Sequence, residues 1–399
     1  MKTVCLTFLL LIFPLSAENS APIVLVHGFL GWGPEEMGGY KYWGGKHDLA
    51  KILEDEGYQV FTVSVGPVSS NWERAIEIYH QLKGGQVDYG KAHASKFDII
   101  QKPDGKSYNG FYPEWDENHP VHLVGHSMGG QTIRMLQYQL DEIFMSDSLT
   151  FTSEKSSLLG ESKKGWISSI TSISAPHDGS TLANIMTKTF PFLQNIIGMA
   201  DLVGSNFYNF DLEHWGFHRG ENESWASYRR RLKEHPAWGT KNICAWDLSL
   251  DGAKELNAYL TTDPDIYYFS IQTTATHLDS ISAFYLPNKG VSLLTRSRAS
   301  LMGKTISYWK NGTATDSTWF ENDGIVNTIS MSGPKVNSTD MIVDYESDEL
   351  LLPGYWINLG VFPYDHQAIV GHSFSQEDWK PVEKIYLEHA ERLRKLTAH

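Results

Sequence analysis

Short apolar runs alternate along the chain with segments in which apolar residues recur at helical spacing. Runs of this length are typical of buried strands, and we assign strands to 22–26, 58–65, 121–124, 167–174 and 266–272. Helical spacing predicts helices that begin near 48 and cover 71–82, 131–144, 213–232, 248–260 and 382–396. This alternation indicates an α/β protein with a mostly parallel central sheet flanked by helices. Because there is no internal repeat and no clear linker, we expect a single domain over 21–397.

Four segments depart from this pattern. Residues 97–118 are predicted as a surface insertion, 146–164 as a polar surface loop, and 288–308 show no clear pattern. Residues 181–210 differ from these because their apolar residues fall on several helical faces. Such a segment is either a buried core helix or a lid over an active site, and the residues alone leave these two alternatives even.

The strongest local motif lies in 121–133, with the sequence VHLVGHSMGGQTI. Here Gly125 and Gly129 flank Ser127 between a predicted strand and a predicted helix. A Gly-x-Ser-x-Gly motif in that position is typical of a nucleophile elbow, in which a sharp turn exposes the serine hydroxyl. The N–H of Met128 is then expected to point at a developing oxyanion. The alternative is a chance occurrence of this motif in a loop.

A second motif supports the elbow. The strand 22–26 continues directly into HGFLGWG, where Gly28 allows the backbone to turn beneath the elbow. The N–H of Phe29 is the expected second oxyanion donor, beside that of Met128. Taken alone, the motif could also be an ordinary glycine loop.

A serine nucleophile needs a base, usually a histidine that a carboxylate orients. In α/β hydrolases the chain order is serine, acid, histidine. The Asn-Asp-Gly turn favours Asp323 as the acid over its neighbour Glu321. His366 and His372 both lie in the late loop where the base is expected, and the residues favour His366 only modestly.

Composition and charge restrict the partners and the location. The formal net charge of −14 argues against nucleic acid and against anionic membrane surfaces, but not against a neutral lipid surface. Residues 1–17 combine a basic start, an apolar stretch and a small-residue cleavage site, which predicts a signal peptide and secretion. No other stretch is apolar enough to span a bilayer, so we expect no transmembrane segment.

Cysteine usage excludes several kinds of site. Of the two cysteines, Cys5 lies in the predicted signal, so Cys244 would stand alone and form no intrachain disulfide. A single remaining cysteine argues against a cysteine-based metal site and against a thiol triad. Asn222, Asn311 and Asn337 begin Asn-x-Ser/Thr sequons, which matter only if the secreting cell glycosylates its proteins.

The chain resembles the thermoalkalophilic bacillary lipases and the staphylococcal lipases from Ala21 to about Leu393. The resemblance rests on APIVLVHGFLGWG, KYWGG, GPVSSNWERA, KGGQVDYGKAHA, GHSMGGQT, APHDGSTL, WDLSLDGAKELN and ENDGIVNTISMSGPK, which follow the order of that family. It implies an α/β-hydrolase fold with a helical lid and insertions, the lid falling on approximately 181–209. It also implies hydrolysis of acylglycerol esters at a lipid–water interface.

The same resemblance assigns the catalytic positions. It places the triad on Ser127, Asp323 and His366, and the oxyanion donors on Phe29 and Met128. Reactions of this kind require no cofactor. Two alternatives remain open: a carboxylesterase or phospholipase that prefers other esters, and a catalytically silent lipid-binding protein.

The metal positions of that family are only partly kept. Three zinc positions fall on Glu73, His93 and Asp247, but the fourth falls on Ile99, which cannot bind a metal. Asp98 is a possible substitute because oxygen ligands suit zinc. A zinc site here is a weak expectation, and ordinary polar residues in an insertion are at least as good an interpretation. The two calcium carboxylates fall on Ala368 and Ser373, so we expect the calcium site to be lost.

Overall fold

The core of the molecule is a seven-stranded sheet in which all strands are parallel. The structure is a computed structural model that describes residues 18–147, 150–187, 211–216, 222–346, 350–372 and 376–397. The strands of the sheet are β1 (Ile23–Val26), β2 (Val60–Val63), β3 (Val121–His126), β4 (Ile167–Ile173), β5 (Tyr267–Thr273), β6 (Ile342–Asp344) and β7 (Trp356–Phe362). They pair in the order β6-β7-β5-β4-β3-β1-β2. Every pairing is parallel, as the alternation of strands and helices predicts.

Helices cover both faces of this sheet. The described α-helices are α1 (Leu49–Asp55), α2 (Asn71–Lys83), α3 (Lys91–Phe97), α4 (Met128–Asp141), α5 (Thr181–Thr187), α6 (Trp225–Lys233), α7 (Cys244–Asp247), α8 (Leu250–Asn257), α9 (Leu293–Met302) and α10 (Gln376–Arg394). One large apolar cluster joins α2 and α4 to the sheet, and a second joins α1 and α10 to the opposite face. Both sides of the central strands are thereby shielded from water, which parallel sheets require.

Short antiparallel ribbons carry the insertions between these elements. Their paired strands are Gly85–Gln86 with Ser107–Tyr108, Met145–Asp147 with Thr152–Ser153, and Thr276–Leu278 with Tyr285–Pro287. The second ribbon lies within the predicted polar loop at 146–164, where Leu158 and Leu159 are also fully buried. That segment is therefore packed more closely than a surface loop.

Several predicted element boundaries are wrong. The predicted helix at 213–232 is a single 3₁₀ turn at Glu213–Trp215 followed by α6, because Gly216 adopts a left-handed conformation that ends the turn. The helix after the elbow starts at Met128 and ends at Asp141, earlier than predicted. The sequence pattern missed α9, β6 and β7 altogether.

A buried arginine fixes the strand ends that carry the site. Arg74 on α2 is fully buried and donates from Nη2 to the carbonyl of His27, 2.5 Å away. Its Nη1 donates to the carbonyl of Gly66 at 2.8 Å, and its Nε donates to Oγ1 of Thr132 on α4 at 3.0 Å. One guanidinium thus joins the loops after β1 and β2 to two helices.

Two sequence predictions fall outside the described residues or only partly within them. The predicted signal at 1–17 is not described, and of the predicted lid at 181–209 only 181–187 is described, as α5. No helix in the described ranges is long and apolar enough to cross a membrane.

The sequon residues Asn222, Asn311 and Asn337 are all exposed. Cys244 is fully buried, and burial raises the pKa of its thiol.

Candidate active site

Ser127 occupies a strained turn between β3 and α4. Its backbone has φ 56° and ψ −129°, a conformation that side-chain-bearing residues rarely adopt. The two flanking glycines are required by close packing rather than by φ. A Cβ on Gly125 would lie 2.4 Å from the backbone of Gly129, and a Cβ on Gly129 would lie 2.3 Å from the carbonyl oxygen of Val26. The elbow therefore has the tight geometry that its sequence predicts.

The loop after β1 passes directly beneath the serine. A Cβ on Gly28 would lie 2.6 Å from Cβ of Ser127 and 3.1 Å from its Oγ, so only glycine fits there. The next residue, Phe29, packs in the same apolar cluster as the fully buried Met128. As the first residue of α4, Met128 has a backbone N–H without an intrahelical acceptor. The two predicted oxyanion donors thus come from adjoining segments beside Ser127.

A tyrosine hydroxyl ties this loop to the elbow. The N–H of Gly28 donates to the hydroxyl oxygen of Tyr42 at 3.0 Å, and the same hydroxyl lies 2.6 Å from Nδ1 of His126. Burial holds the pKa of His126 well below 6.5, so its imidazole is neutral, and Tyr42 can donate its hydrogen to Nδ1. Tyr42 therefore fixes Gly28 and the residue before Ser127 with one group.

Asp323 is held with both carboxylate oxygens in use. Oδ1 accepts the N–H groups of Ile325 (3.0 Å) and Val326 (2.8 Å), which closes the predicted Asn-Asp-Gly turn. Oδ2 accepts from Oγ1 of Thr273, the last residue of β5, at 2.8 Å. The carboxylate is fully buried, so these bonds fix its orientation as well as offset its desolvation.

His366 lies in the loop after β7 and meets this carboxylate. Its Nδ1 is 2.7 Å from Oδ2 of Asp323, and its backbone N–H donates to the carbonyl of Asp323 at 3.1 Å. Because a carboxylate only accepts hydrogen bonds, Nδ1 carries a proton, which leaves Nε2 as the ring nitrogen available to act as a base. The ring lies 4.6 Å from that of His126, centroid to centroid, which places it beside the elbow.

The competing residues are occupied elsewhere. His372 stacks on Trp32 with ring centroids 5.4 Å apart, and its Nε2 lies 2.9 Å from the carbonyl oxygen of Tyr42. His389 on α10 lies 2.7 Å from Oγ1 of Thr171. Both of these histidines bond to groups other than Asp323, whereas His366 bonds to it. The structure therefore favours His366 as the base.

The weak zinc candidates are only partly brought together. Nε2 of His93 lies 3.8 Å from Oε1 of Glu73, and a residue that the sequence did not indicate, His214, has Nε2 3.4 Å from Oε2. Burial acts to raise the pKa of Glu73, but the two neighbouring histidines lower it by more. The pKa of this carboxyl therefore lies below its usual range. Both carboxylate oxygens already accept hydrogen bonds, Oε1 from Asn242 and Oε2 from the N–H of Ser70.

The other candidate ligands serve other contacts. Oδ2 of Asp247 accepts the N–H of Asn71 at 2.6 Å, and burial raises its pKa to about 8. Asp98 ends α3 in a left-handed conformation, and Ile99 packs against the core. Among the described residues, no group of three or more His, Cys, Asp or Glu side chains is arranged to hold a metal. The donors do not fit a closed zinc cage, and zinc binding stays a prediction.

The calcium positions add nothing to this. Ala368 begins a 3₁₀ turn that ends at Val370, and Ser373 lies outside the described residues. The loss of calcium therefore stays a prediction from the sequence.

The chain is similar to known proteins over most of its length. A family model described as "Lipase-like, C-terminal domain" matches residues 19–390. The chain belongs to this lipase-like family. The lipase of Staphylococcus hyicus is 32% identical over 386 residues, which cover 94% of this chain and 58% of that relative. The chain thus spans little more than half the length of that curated relative.

Solved structures confirm the α/β-hydrolase fold of this lipase-like chain. EstA from Clostridium botulinum superposes with a TM-score of 0.85 at 38% identity, covering 96% of this chain and 89% of that chain. The Staphylococcus hyicus lipase structure gives a TM-score of 0.84 at 29% identity, covering 96% and 97%. The resemblance to staphylococcal lipases that the motifs predict is therefore confirmed.

Sequence reasoning missed the residues that orient the predicted site of this lipase-like chain. Tyr42 lies within KYWGG and Arg74 within GPVSSNWERA, two of the motifs that carry the family resemblance. Thr273 directly follows the predicted strand 266–272, the position where polar residues of parallel sheets reach a ligand site. The sequence motifs indicate which segments matter but not which groups these side chains bond to. Their hydrogen-bond partners are distant along the chain, so no local pattern identifies them.

Proposed function

We propose that this chain is a secreted serine lipase that hydrolyses acylglycerol esters through Ser127, His366 and Asp323. The observation that carries the proposal is the 2.7 Å contact between His366 and a fully satisfied Asp323, beside a serine held at positive φ. This combination orients a base and holds a nucleophile at the same end of the sheet. Membership of the lipase-like family supports the ester as the substrate.

The reaction proceeds through an acyl-enzyme. Oγ of Ser127 attacks the ester carbonyl while Nε2 of His366 takes its proton, and the oxygen that gains charge is held by the N–H groups of Phe29 and Met128. His366 then gives the proton to the departing glycerol oxygen as the C–O bond breaks. A water molecule, deprotonated by His366, attacks the acyl-enzyme and releases the fatty acid, and the proton returns to Ser127. Asp323 keeps Nδ1 protonated throughout.

Location and lid are part of the same proposal. Secretion rests on the signal-like sequence at 1–17, and a lid rests on the apolar character of 181–209 together with the family resemblance. A lid would separate the site from water until an oil surface is present. Hydrolysis that rises sharply when substrate exceeds its solubility would support this role.

The decisive experiment compares hydrolysis of triolein and tributyrin emulsions and of a soluble short-chain ester by the wild type and Ser127→Ala. We expect the wild type to cleave triolein and the variant to lose turnover on every substrate, because the proposed acyl-enzyme forms on the Ser127 hydroxyl. Activity limited to the soluble ester would replace the lipase with a carboxylesterase. A phospholipid cleaved in preference to triolein would indicate a phospholipase.

A silent lipid-binding protein is tested separately. An organophosphonate should label wild-type Ser127 and should not label Ser127→Ala, with intact mass spectrometry as the readout. Absence of labelling together with absence of turnover would reject the enzyme altogether. A chelator added to both assays tests the zinc prediction, since a metal-dependent fold would lose melting temperature as well as activity.

A further inference from the structure

Exposed apolar side chains concentrate in one segment, residues 276–308, which we call the rim segment. Ile281 is 94% exposed and Leu293 is 86% exposed, the two highest values among the large apolar residues that the structure describes. Eight large exposed apolar residues lie in this segment: Leu278, Ile281, Phe284, Leu286, Leu293, Leu301, Ile306 and Tyr308. Clusters of this kind mark interaction surfaces, whereas scattered exposed apolar residues are common.

The rim segment lies at the active-site end of the sheet. It follows β5, whose last residue holds Asp323, and the N–H of Ala275 just before it donates to the carbonyl of Asn322 at 2.9 Å. The ring of Phe284 lies 6.1 Å from that of Phe320, and a Cβ on Gly324 would lie 2.4 Å from Cγ2 of Thr295. The segment is therefore built against the turn that carries the catalytic acid.

The segment also adjoins the start of the predicted lid. α9, which forms its centre, packs against α5, and Nδ2 of Asn184 on α5 donates to the carbonyl of Tyr308 at 3.4 Å. An object docked on the rim segment would therefore meet the site and the first helix of the predicted lid together.

Hydrogen bonds hold the exposed tip in place. In the loop of the ribbon 276–287, the N–H of Asp279 donates to the carbonyl of Phe284 at 2.8 Å. Oδ2 of Asp279 accepts from the N–H (2.9 Å) and the hydroxyl (2.6 Å) of Ser282. Ile281 lies within this hydrogen-bonded turn, with its side chain 94% exposed. Its exposure is a property of the turn, so a binding surface of fixed shape results.

The charge of the rim segment is opposite to that of the protein. It carries four basic residues and one acidic residue, whereas the whole chain has a net charge of −14. Lys289, Arg296 and Lys304 are exposed beside the apolar side chains. Apolar side chains flanked by cations are the combination that binds anionic lipid surfaces. Arg298, the fourth cation, is only partly exposed and interacts with Asp323 and Asp365, so the outward charge of the segment comes from the other three. Salt screens charges more than about 8 Å apart at physiological ionic strength, so these three cations act mainly on a surface in contact with the segment.

We infer that the rim segment is the docking surface for a lipid–water interface that carries negative charge. The inference rests on the proposed lipase function and deepens it, because it names the surface by which the enzyme reaches its substrate. It departs from the sequence argument that the net charge of −14 speaks against anionic surfaces, and the test below decides between them. Fatty acid released by hydrolysis is itself an anion, so binding would strengthen as the reaction charges the interface.

The test measures binding of the Ser127→Ala chain to sedimented vesicles of phosphatidylcholine and of an equal mixture with phosphatidylglycerol. Ile281→Ser with Leu293→Ser should weaken binding to the mixed vesicles at least tenfold, since both side chains would enter the lipid. Lys289→Gln, Arg296→Gln and Lys304→Gln should each cost about fivefold on the mixed vesicles only. The matched control is Phe151→Ser with Leu350→Ser, which are 81% and 82% exposed but lie outside the rim segment.

The same substitutions in the active chain separate docking from catalysis. The Ile281→Ser, Leu293→Ser chain should hydrolyse a soluble short ester with unchanged kcat/KM and lose activity on triolein emulsion. Vesicle binding that is unchanged, or that falls equally in the control pair, would overturn the docking surface while leaving the enzyme intact. A dimer that the rim substitutions convert to a monomer would assign the surface to a second copy instead. Rim-dependent binding without any ester hydrolysis would overturn the proposed function alone.

Discussion

Single backbone contacts decide whether the elbow can form. Gly129 is the sharpest example, because a Cβ there would lie 2.3 Å from the carbonyl oxygen of Val26 at the end of β1. Gly129→Ala should therefore push α4 away from β1 and displace the N–H of Met128. We expect kcat on a soluble ester to fall on the order of a hundredfold or more.

The matched control is Gly239→Ala. A Cβ at Gly239 would meet nothing within 4 Å, so the same substitution should leave both kcat and the urea midpoint unchanged. Equal losses in the two variants would show that the Gly129 effect is not specific to the elbow.

The Tyr42 hydroxyl offers a second test at this scale. Tyr42→Phe leaves the N–H of Gly28 and Nδ1 of His126 buried without their partner, which should cost about 1–3 kcal/mol of unfolding free energy. Because Gly28 precedes Phe29, we also expect kcat to fall more than KM rises. A variant that loses stability but keeps kcat would show that the hydroxyl is structural only. Tyr308→Phe, at an exposed position, is the control for loss of a hydroxyl.

Sequence reasoning at the residue scale succeeds where the chemistry is local. The elbow and the Asn-Asp-Gly turn each lie within a few residues, so their geometry follows from glycine placement and turn chemistry. The residues alone favour His366 over His372 only modestly, since both occupy the same loop, and it was the family resemblance that assigned His366. Tyr42 meets His126 across 84 positions of the chain, a pairing that no local pattern encodes.

Elements were predicted well only when their pattern was regular. The sequence pattern did not predict β7. Gly360 adopts φ 99° and the register with β5 shifts between Asn358 and Val361, which breaks the alternation of apolar residues. α9 was not predicted because the basic and apolar residues of LLTRSRASLM do not separate onto opposite faces of a helix. In contrast, β1, β3 and β4 are buried along their whole length, and their short runs rich in Ile, Val and Leu were predicted as strands.

One ion pair joins the 97–118 insertion to the segment that follows the predicted lid. Nζ of Lys106 lies 2.6 Å from Oε1 of Glu77 and 2.5 Å from Oδ2 of Asp211, and it is nearly inaccessible to water. Lys106→Met would leave the two carboxylates facing each other without the ammonium between them. We expect a loss of about 3–5 kcal/mol, measured by urea unfolding.

The control for that substitution is Lys51→Met. Lys51 forms a 2.8 Å ion pair with Asp55 on the surface of α1, where solvent screens the interaction. Its removal should change the urea midpoint very little. A similar loss in both variants would contradict the special role of the buried pair.

Buried neutral histidines set the acid stability of the whole molecule. Burial lowers the pKa of His27 and of His122 to about 3, and holds His126, His177 and His389 well below 6.5. The unfolded chain therefore binds more protons than the folded chain between pH 3 and 6.5. Their stabilising contribution is complete above pH 6.5 and is lost as pH falls, at about 1.4 kcal/mol per pH unit for each group.

Asp247 acts in the opposite direction but is outnumbered. Its pKa is raised to about 8, so the folded chain holds an extra proton and loses stability as pH rises from about 4 to 8. Urea midpoints should therefore fall between pH 6.5 and 5. His122→Asn should flatten this dependence by about 1.4 kcal/mol per pH unit. An unchanged slope in that variant would mean that His122 does not remain neutral in the fold.

The burial of Cys244 has a practical consequence. The only other cysteine, Cys5, lies in the predicted signal, so a processed chain would present no thiol to an aqueous maleimide. A cysteine placed at Ile281 could then carry a single fluorophore without background labelling. Its emission colour would report how deeply that tip enters an oil phase, second by second, as the droplet is consumed.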